Sequence, residues 1–220
     1  GDIKPSTPTS GINPFKLTDK YAFENAVYID AEHKLSDKLN LSYGLRISSF
    51  LRLGQNQLNT YQDDQAVVFN NDFQIYQKAN PTGSESFNKR DVIKSFANLE
   101  PRASLAYQLN DNSSVKASYN RMTQYLHLLS NTSSPTPLDI WTPSGKYVKP
   151  QLLDQVALGY FRSFNDDNYS LEVETYYKKI QNRIDYIDGA DLIANDAIEQ
   201  VILNGEARAY GLEVLLRKNE

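Results

Sequence analysis

The connections between the extended segments of this chain alternate in length, and this alternation limits the possible folds more than any other feature. Period-two patterning marks seven segments. In residues 21–35, Tyr21, Phe23, Val27 and Ile29 share one parity, with Ala22, Glu24, Asp30 and Glu32 on the other. In 39–53, Leu39, Leu41, Tyr43, Leu45, Ile47 and Leu51 oppose Asn40, Ser42, Gly44, Arg46, Ser48 and Arg52. A third strand over 97–107 sets Ala97, Leu99, Pro101, Ala103, Leu105 and Tyr107 against Asn98, Glu100, Arg102 and Ser104. A fourth over 115–125 sets Val115, Ala117, Tyr119 and Tyr125 against Lys116, Ser118, Asn120 and Gln124. Val156, Leu158, Tyr160 and Phe164 define a fifth. Tyr169, Leu171, Val173 and Tyr177 define a sixth, opposite Glu172, Glu174 and Lys178. Tyr210, Leu212, Val214 and Leu216 define a seventh over 207–218. Asp- and Asn-rich turns at 36–38, 110–113 and 165–168 join the strands in pairs. Long polar connections at 54–95, 126–151 and 183–206 separate the pairs. The first holds candidate local strands at 66–69 and 73–76, and 190–201 in the last carries a short helical pattern.

If neighbouring strands follow chain order, every short turn lies at one end of the sheet and every long loop at the other. Transmembrane β-barrels have this asymmetry. Strands of ~11–15 residues exceed the globular mode of ~5–6 and suffice to cross a bilayer when tilted. The charged face suits a wet lumen. The apolar face, with Tyr and Phe near the strand ends, suits lipid and its interfacial girdle. The expected fold is all-β: an antiparallel up-and-down meander of long strands, forming a sector of a transmembrane β-barrel. Seven strands cannot close around a wide lumen. The same alternation also fits a soluble β-sandwich, whose apolar faces would pack inward.

Composition narrows the chemistry. Two hundred and twenty residues bound one domain or two small ones. A net charge of −4 offers no basic excess to neutralise phosphates, so no nucleic-acid partner is expected. Without Cys there is no disulfide, thiolate metal site or Cys nucleophile, and His33 and His127 are too few for a His-based zinc site. No cofactor or metal is expected. The longest apolar run is about four residues against the ~20 of a membrane-spanning helix, and without a charged n-region and apolar h-region at its start no signal peptide is expected. Gly1 and the polar stretch after it read as an expression-derived edge, so the chain is expected to be a piece of something longer.

Catalytic constellations are weak. Glu172 and Glu174 could form an acid/base pair, but they read better as lumen-facing charge opposite Lys178, Arg102 or Arg217. Asp111, Asp166 and Asp167 sit in turns, where Asp is favoured for backbone reasons. Ser144 to Lys146 is too short for a phosphate loop, and no Gly-x-Ser-x-Gly elbow exists. The chain is not expected to be an enzyme. The binding candidate is the loop 126–151, where Trp141, the only Trp, stands near Asp139, Pro143 and Tyr147. An aromatic on a Pro-stiffened loop offers a rigid face for stacking sugars or other planar ligands. His127, at the start of the loop, is a further candidate contact. The same residues also suit a Trp that pins its loop or rests at the membrane interface.

Several stretches resemble the barrel domain of TonB-dependent outer-membrane receptors, in the version common in Bacteroidetes-type bacteria. Asn25 to Ile29, Leu35 to Leu39 and Gly44 to Ser48 resemble one hairpin of that family. Leu99 to Leu105, Ser114 to Tyr119 and Gln124 to Ser130 resemble the next. Pro135 to Pro150, with Asp139, Trp141, Pro143 and Ser144, resembles the following loop; Gln155 to Tyr160 and Val173 to Ile184 resemble a third hairpin. Asn204 to Glu213, with the run Ala-Tyr-Gly-Leu-Glu from Ala209, resembles a recurrent late strand. Order and spacing carry the resemblance from about residue 21 onward.

The resemblance implies a 22-stranded barrel, of which this is about seven strands, with an N-terminal plug and a TonB-contacting segment elsewhere. It implies a place in the bacterial outer membrane and energised uptake of a scarce ligand: siderophore, glycan, cobalamin or peptide. It divides the chain into 1–20, an expression-derived edge and extracellular-loop remnant, and 21–220, a partial barrel. The partners implied are outer-membrane lipid, the receptor's own plug, TonB through the N-terminal region, and a surface lipoprotein. The isolated segment is expected to self-associate, because an open sheet exposes unpaired backbone groups. The alternative function is a soluble β-sandwich carbohydrate-binding module using Trp141 and Tyr147.

Overall fold

Period-two segments need hydrogen-bonding neighbours, and this chain supplies them in order. The computed structural model describes residues 2–3, 15–130, 139–165, 168–192 and 195–218. Its main sheet has seven strands: β1 Tyr21–Ser36, β2 Leu39–Leu53, β3 Val92–Asn110, β4 Ser113–Gln124, β5 Gln151–Phe164, β6 Tyr169–Tyr186 and β7 Ile202–Lys218. Each pairs antiparallel with its predecessor, so spatial order is chain order. The β1–β2, β3–β4 and β5–β6 turns share one end, and the long connections share the other. Residues 166 and 167 of the last turn lie outside the described residues. Its flanks are closed by the Asn168 N–H donating to the Asn165 carbonyl at 3.1 Å.

Register aligns the apolar residues into rows on one face. Val27 pairs with Ile47 and Ile47 with Leu99. Tyr119 pairs with Val156, Val156 with Tyr177, and Tyr177 with Tyr210. These side chains are not a core: on interior strands Leu99 is 58% exposed and Leu158 51%. Among the described residues no second sheet packs on either face, since the remaining strands are two-stranded pieces. The sandwich expectation therefore fails. Burying one such side chain is worth ~1.5–3 kcal/mol, so a whole face of them requires an apolar medium.

The apolar stretch also runs obliquely to the register. On β7 it covers Tyr210 to Leu216. The row of Tyr210 passes through Tyr177, Val156, Tyr119, Ala103 and Tyr43 to Ala31. On β1, however, the apolar side chains extend from Ile29 toward Tyr21, nearer the loop end. The drift is about one to one and a half residues per strand, equivalent to a tilt of roughly 35–45° at ~3.3 Å rise and ~4.8 Å spacing. Membrane barrels tilt their strands by that amount.

The other face is polar and cross-linked. Arg46 bridges Glu24 at 3.5 Å and Glu100 at 3.7 Å, and Arg102 bridges Asp30 at 2.7 Å. Glu172 and Glu174 lie on this face as expected, but their register partners are not cations. Glu174 stands between Gly159 and Glu213, and Glu172 between Phe161 and Leu215.

With the apolar face turned outward, the compact core forms in the long connections. Leu129, Val148, Ile187, Leu192, Ile198, Val201 and Ile202 pack together there. Two expectations change at this end. The segment 190–201 contains only a 3₁₀ turn, Ile198–Gln200, among its described residues. Tyr125 leaves the parity of β4 and points to the polar side, because the strand ends at Gln124 and the chain turns inward. The first loop carries the hairpin Val67–Asn70 with Ile75–Lys78, one to two residues beyond its expected position.

Candidate functional site

The loop end is assembled from short hairpins locked to one another by side chains. Leu58–Thr60 pairs with Gly83–Glu85, and Leu126–Leu129 with Ile140–Pro143. Three connections meet through buried and half-buried polar contacts. Tyr61 Oη donates to Glu199 Oε1 at 2.9 Å, and Gln200 Nε2 donates to the Ala79 carbonyl at 2.7 Å. Tyr147 Oη donates to the Asn59 carbonyl at 2.9 Å, and its ring meets that of Tyr61 edge-on, with centroids 5.2 Å apart. Lys146 Nζ lies 3.0 Å from Asp64 and 3.8 Å from Glu85.

Under this cap, Arg52 at the end of β2 is buried. Its guanidinium donates to the Tyr21 carbonyl at 3.0 Å, and also to the Leu53 carbonyl and Gln55 Oε1. A small cavity of about 40 Å³ lies between Lys20, Arg52, Gln55, Lys146 and Glu199. Burial holds Lys20 below the usual lysine range, opposed by the charge of Glu199. Burial also pushes the Tyr61 phenol up, reinforced by Glu199. The hydrogen bond to Asp64 pushes Lys146 up. Farther down the inner wall a groove of about 460 Å³ is lined by Asp30, Glu32, Arg102, Lys116, Ser118 and Asn120, among others.

The four expected binding residues part company on the hairpin. Trp141, in register with Leu128, is 60% exposed. His127, in register with Thr142, is 4% exposed, and its Nε2 lies 3.1 Å from Ser144 Oγ. Strand alternation causes the split: Leu126, Leu128 and Trp141 share one face, and His127, Leu129, Ile140 and Thr142 the other. Ser144 is 0% exposed, so the His–Ser contact is sealed from substrate and ties the loop. Burial keeps the His127 imidazole below its ordinary range, and burial raises Tyr147. Asp139 is half-buried, and its charge acts on Tyr186.

The polar assembly of Lys20, Arg52, Tyr61, Lys146 and Glu199 lay outside the sequence reading. Its members come from five separate stretches of chain, and only the place of Arg52 on the charged face of a strand hinted at it.

The family model described as TonB dependent receptor-like, beta-barrel matches residues 1–218. No curated protein sequence matches the chain significantly. Among solved structures, the chain is similar to the FrpB iron transporter from Neisseria meningitidis in its apoprotein form, at 15% identity and a TM-score of 0.54, covering 94% of this chain and 25% of that one. It is similar to the copper transporter OprC at 14% identity and a TM-score of 0.53, covering 90% and 27%. It is similar to the ferric-catecholate import receptor Fiu from E. coli K12 at 16% identity and a TM-score of 0.53, covering 90% and 26%. The chain thus spans about a quarter of the length of each, and at these identities the likeness is one of fold.

Proposed function

The chain belongs to the TonB-dependent receptor-like β-barrel family, and from that premise we propose that it forms part of the wall of an outer-membrane uptake receptor. The observation that carries this reading is the inverted sheet, with apolar rows exposed outside, ion pairs inside and the short turns at one rim. The outer face meets lipid. The inner face borders the plug of the full-length receptor, which TonB would move to open the path, and the loop end captures ligand. No bond is made or broken in this work. The fold neighbours transport iron and copper or import ferric catecholate, which directs a ligand screen first to metal chelates. Glycans, cobalamin and peptides complete the screen.

Of the four loop residues, Trp141 is the ligand contact in this proposal. His127, Tyr147 and Asp139 hold the surface that presents it. A surface lipoprotein would dock at the same rim. The isolated segment would self-associate through the free edges of β1 and β7.

The segment contains no Cys, which suits a labelling test in the full-length receptor freed of any other cysteine. In intact cells an impermeant maleimide should modify W141C rapidly and spare L212C until detergent is added. Equally fast labelling of L212C in intact cells would overturn the wall assignment.

A further inference from the structure

Two adjacent rows on the outer face differ sharply in chemistry. One row holds Tyr119, Val156, Tyr177 and Tyr210. The next outward-facing row toward the loop end holds Arg121, Asp154, Lys179 and Arg208, one residue from each of β4 to β7. Tyrosine prefers the boundary between acyl chain and head group, because its ring is apolar and its hydroxyl wet. On β6 and β7 a charge stands directly above a Tyr, Lys179 above Tyr177 and Arg208 above Tyr210, and there the pair marks where the hydrocarbon ends.

The strand tilt makes the members of the charged row unequal. Because the apolar band rises from β7 toward β1, Arg121 sits deeper than Arg208. The deeper charges neutralise each other: Arg121 Nε lies 3.6 Å from Asp154 Oδ1. Asp154 also accepts from Tyr119 Oη at 2.7 Å and Gln181 Nε2 at 3.4 Å. Charges in a bilayer persist when paired in this way. The shallower ones are left open. Lys179 has only a long contact of 3.8 Å to the exposed Glu206, and Arg208, on the edge strand β7, makes no ion pair with the neighbouring strand β6 among the described residues.

We propose that Lys179 and Arg208 form a clamp for the phosphate of an anionic lipid head group in the leaflet at the loop rim. They are cross-strand neighbours, so their side chains leave the same face side by side, one step above Tyr177 and Tyr210. Glu206 tempers the site and leaves it with a net charge of +1. Continuity with the lipid-facing rows below it commits the site to a membrane lipid, whose acyl chains would lie along Tyr210, Leu212 and Val214. This inference rests on the wall assignment made above.

The test uses the full-length receptor in nanodiscs of phosphatidylcholine, with or without about a quarter phosphatidylglycerol, at low and high salt. Native mass spectrometry reads the retained lipid. The wild type should retain phosphatidylglycerol preferentially, by about five-fold at low salt for the site's one net positive charge, with the preference falling as salt rises. K179Q/R208Q should bring retention to parity while melting unchanged in pure phosphatidylcholine. A double variant with undiminished preference, or a wild type with none, overturns the clamp. If L212C stays protected in cells while the lipid preference is absent, the clamp alone falls. If L212C is labelled, the wall assignment falls first.

Discussion

Arg102 reaches across an entire strand to Asp30, its Nη2 donating to Oδ1 at 2.7 Å over Gly44, the residue that pairs with both. A Cβ at position 44 would stand 2.9 Å from Arg102 Nε, 3.0 Å from Asp30 Cβ and 3.0 Å from the Ile29 carbonyl oxygen. The bridge itself is half-exposed and worth ~0.2–1 kcal/mol. The Arg102 guanidinium can swing away, but Asp30 Cβ and the Ile29 carbonyl cannot, and crowding against them costs more, ~1–3 kcal/mol. Thermal unfolding of the full-length receptor should therefore show a larger loss for G44A than for D30N. Equal losses would assign the cost to the charge pair rather than to the missing side chain.

Tyr125 joins the second loop to the inner wall. Its ring stacks on Phe50 with centroids 4.8 Å apart, and its hydroxyl meets Ser48 Oγ and Asn98 Nδ2, both at 2.8 Å. Y125F keeps the stack, and Ser48 keeps its bond to Glu100 at 2.5 Å, but the hydroxyl's bonds to Ser48 and Asn98 are lost, at a cost of ~0.5–1.5 kcal/mol. Y125A also opens a void, for ~3–5 kcal/mol. Limited proteolysis within 126–150 should accelerate in the order W141A, Y125F, Y125A. Cleavage of W141A as fast as Y125A would remove Tyr125 from this role.

His127 makes the second loop acid-sensitive. Burial lowers its folded pKa below the unfolded value of about 6.5. Above that pH both states are neutral, and the residue adds no pH dependence. As pH falls below it, the unfolded state takes up a proton that the folded state refuses, so stability is lost. Amide exchange in Leu126–Leu129 and Ile140–Pro143 should quicken between pH 7.5 and 5.5, allowing for the chemistry of exchange itself, and H127Q should flatten that slope. An unchanged slope in H127Q would place the sensitivity elsewhere.

Adjacent positions on β7 should respond oppositely to the same substitution. Val214 faces outward, and Arg there would cost ~2–4 kcal/mol if the site lies near the bilayer centre. Glu213 faces inward opposite Glu174, and Arg there would replace a like-charge pair with an opposite one, a gain of ~0.2–1 kcal/mol. The fraction of receptor assembled in the outer membrane should fall for V214R and hold or rise for E213R. Loss of both to the same degree would contradict the two-faced sheet.

Much of this was readable in one dimension. In a strand the side-chain period is two, so the parity of Leu39 to Leu51 or Tyr210 to Leu216 states the face directly, and Asp37–Lys38 and Asp111–Asn112 state the turns. The loops resisted because their contacts join distant stretches. Tyr61 with Glu199 and Tyr147 with Asn59 leave no periodic trace. The helical pattern at 190–201 lost to tertiary packing: Leu192, Ile198 and Val201 are buried against Leu129 and Val148, which local spacing does not encode.

The residue order by itself determined a two-faced ribbon, turned back at one rim and looped at the other, because pleat and turn chemistry act over only a few neighbours. The tertiary structure alone decided that Tyr125 turns inward, that His127 is sealed while Trp141 stays open, and that Lys179 and Arg208 stand together. Those outcomes depend on register and tilt between strands, which long-range hydrogen bonds set and no single segment contains.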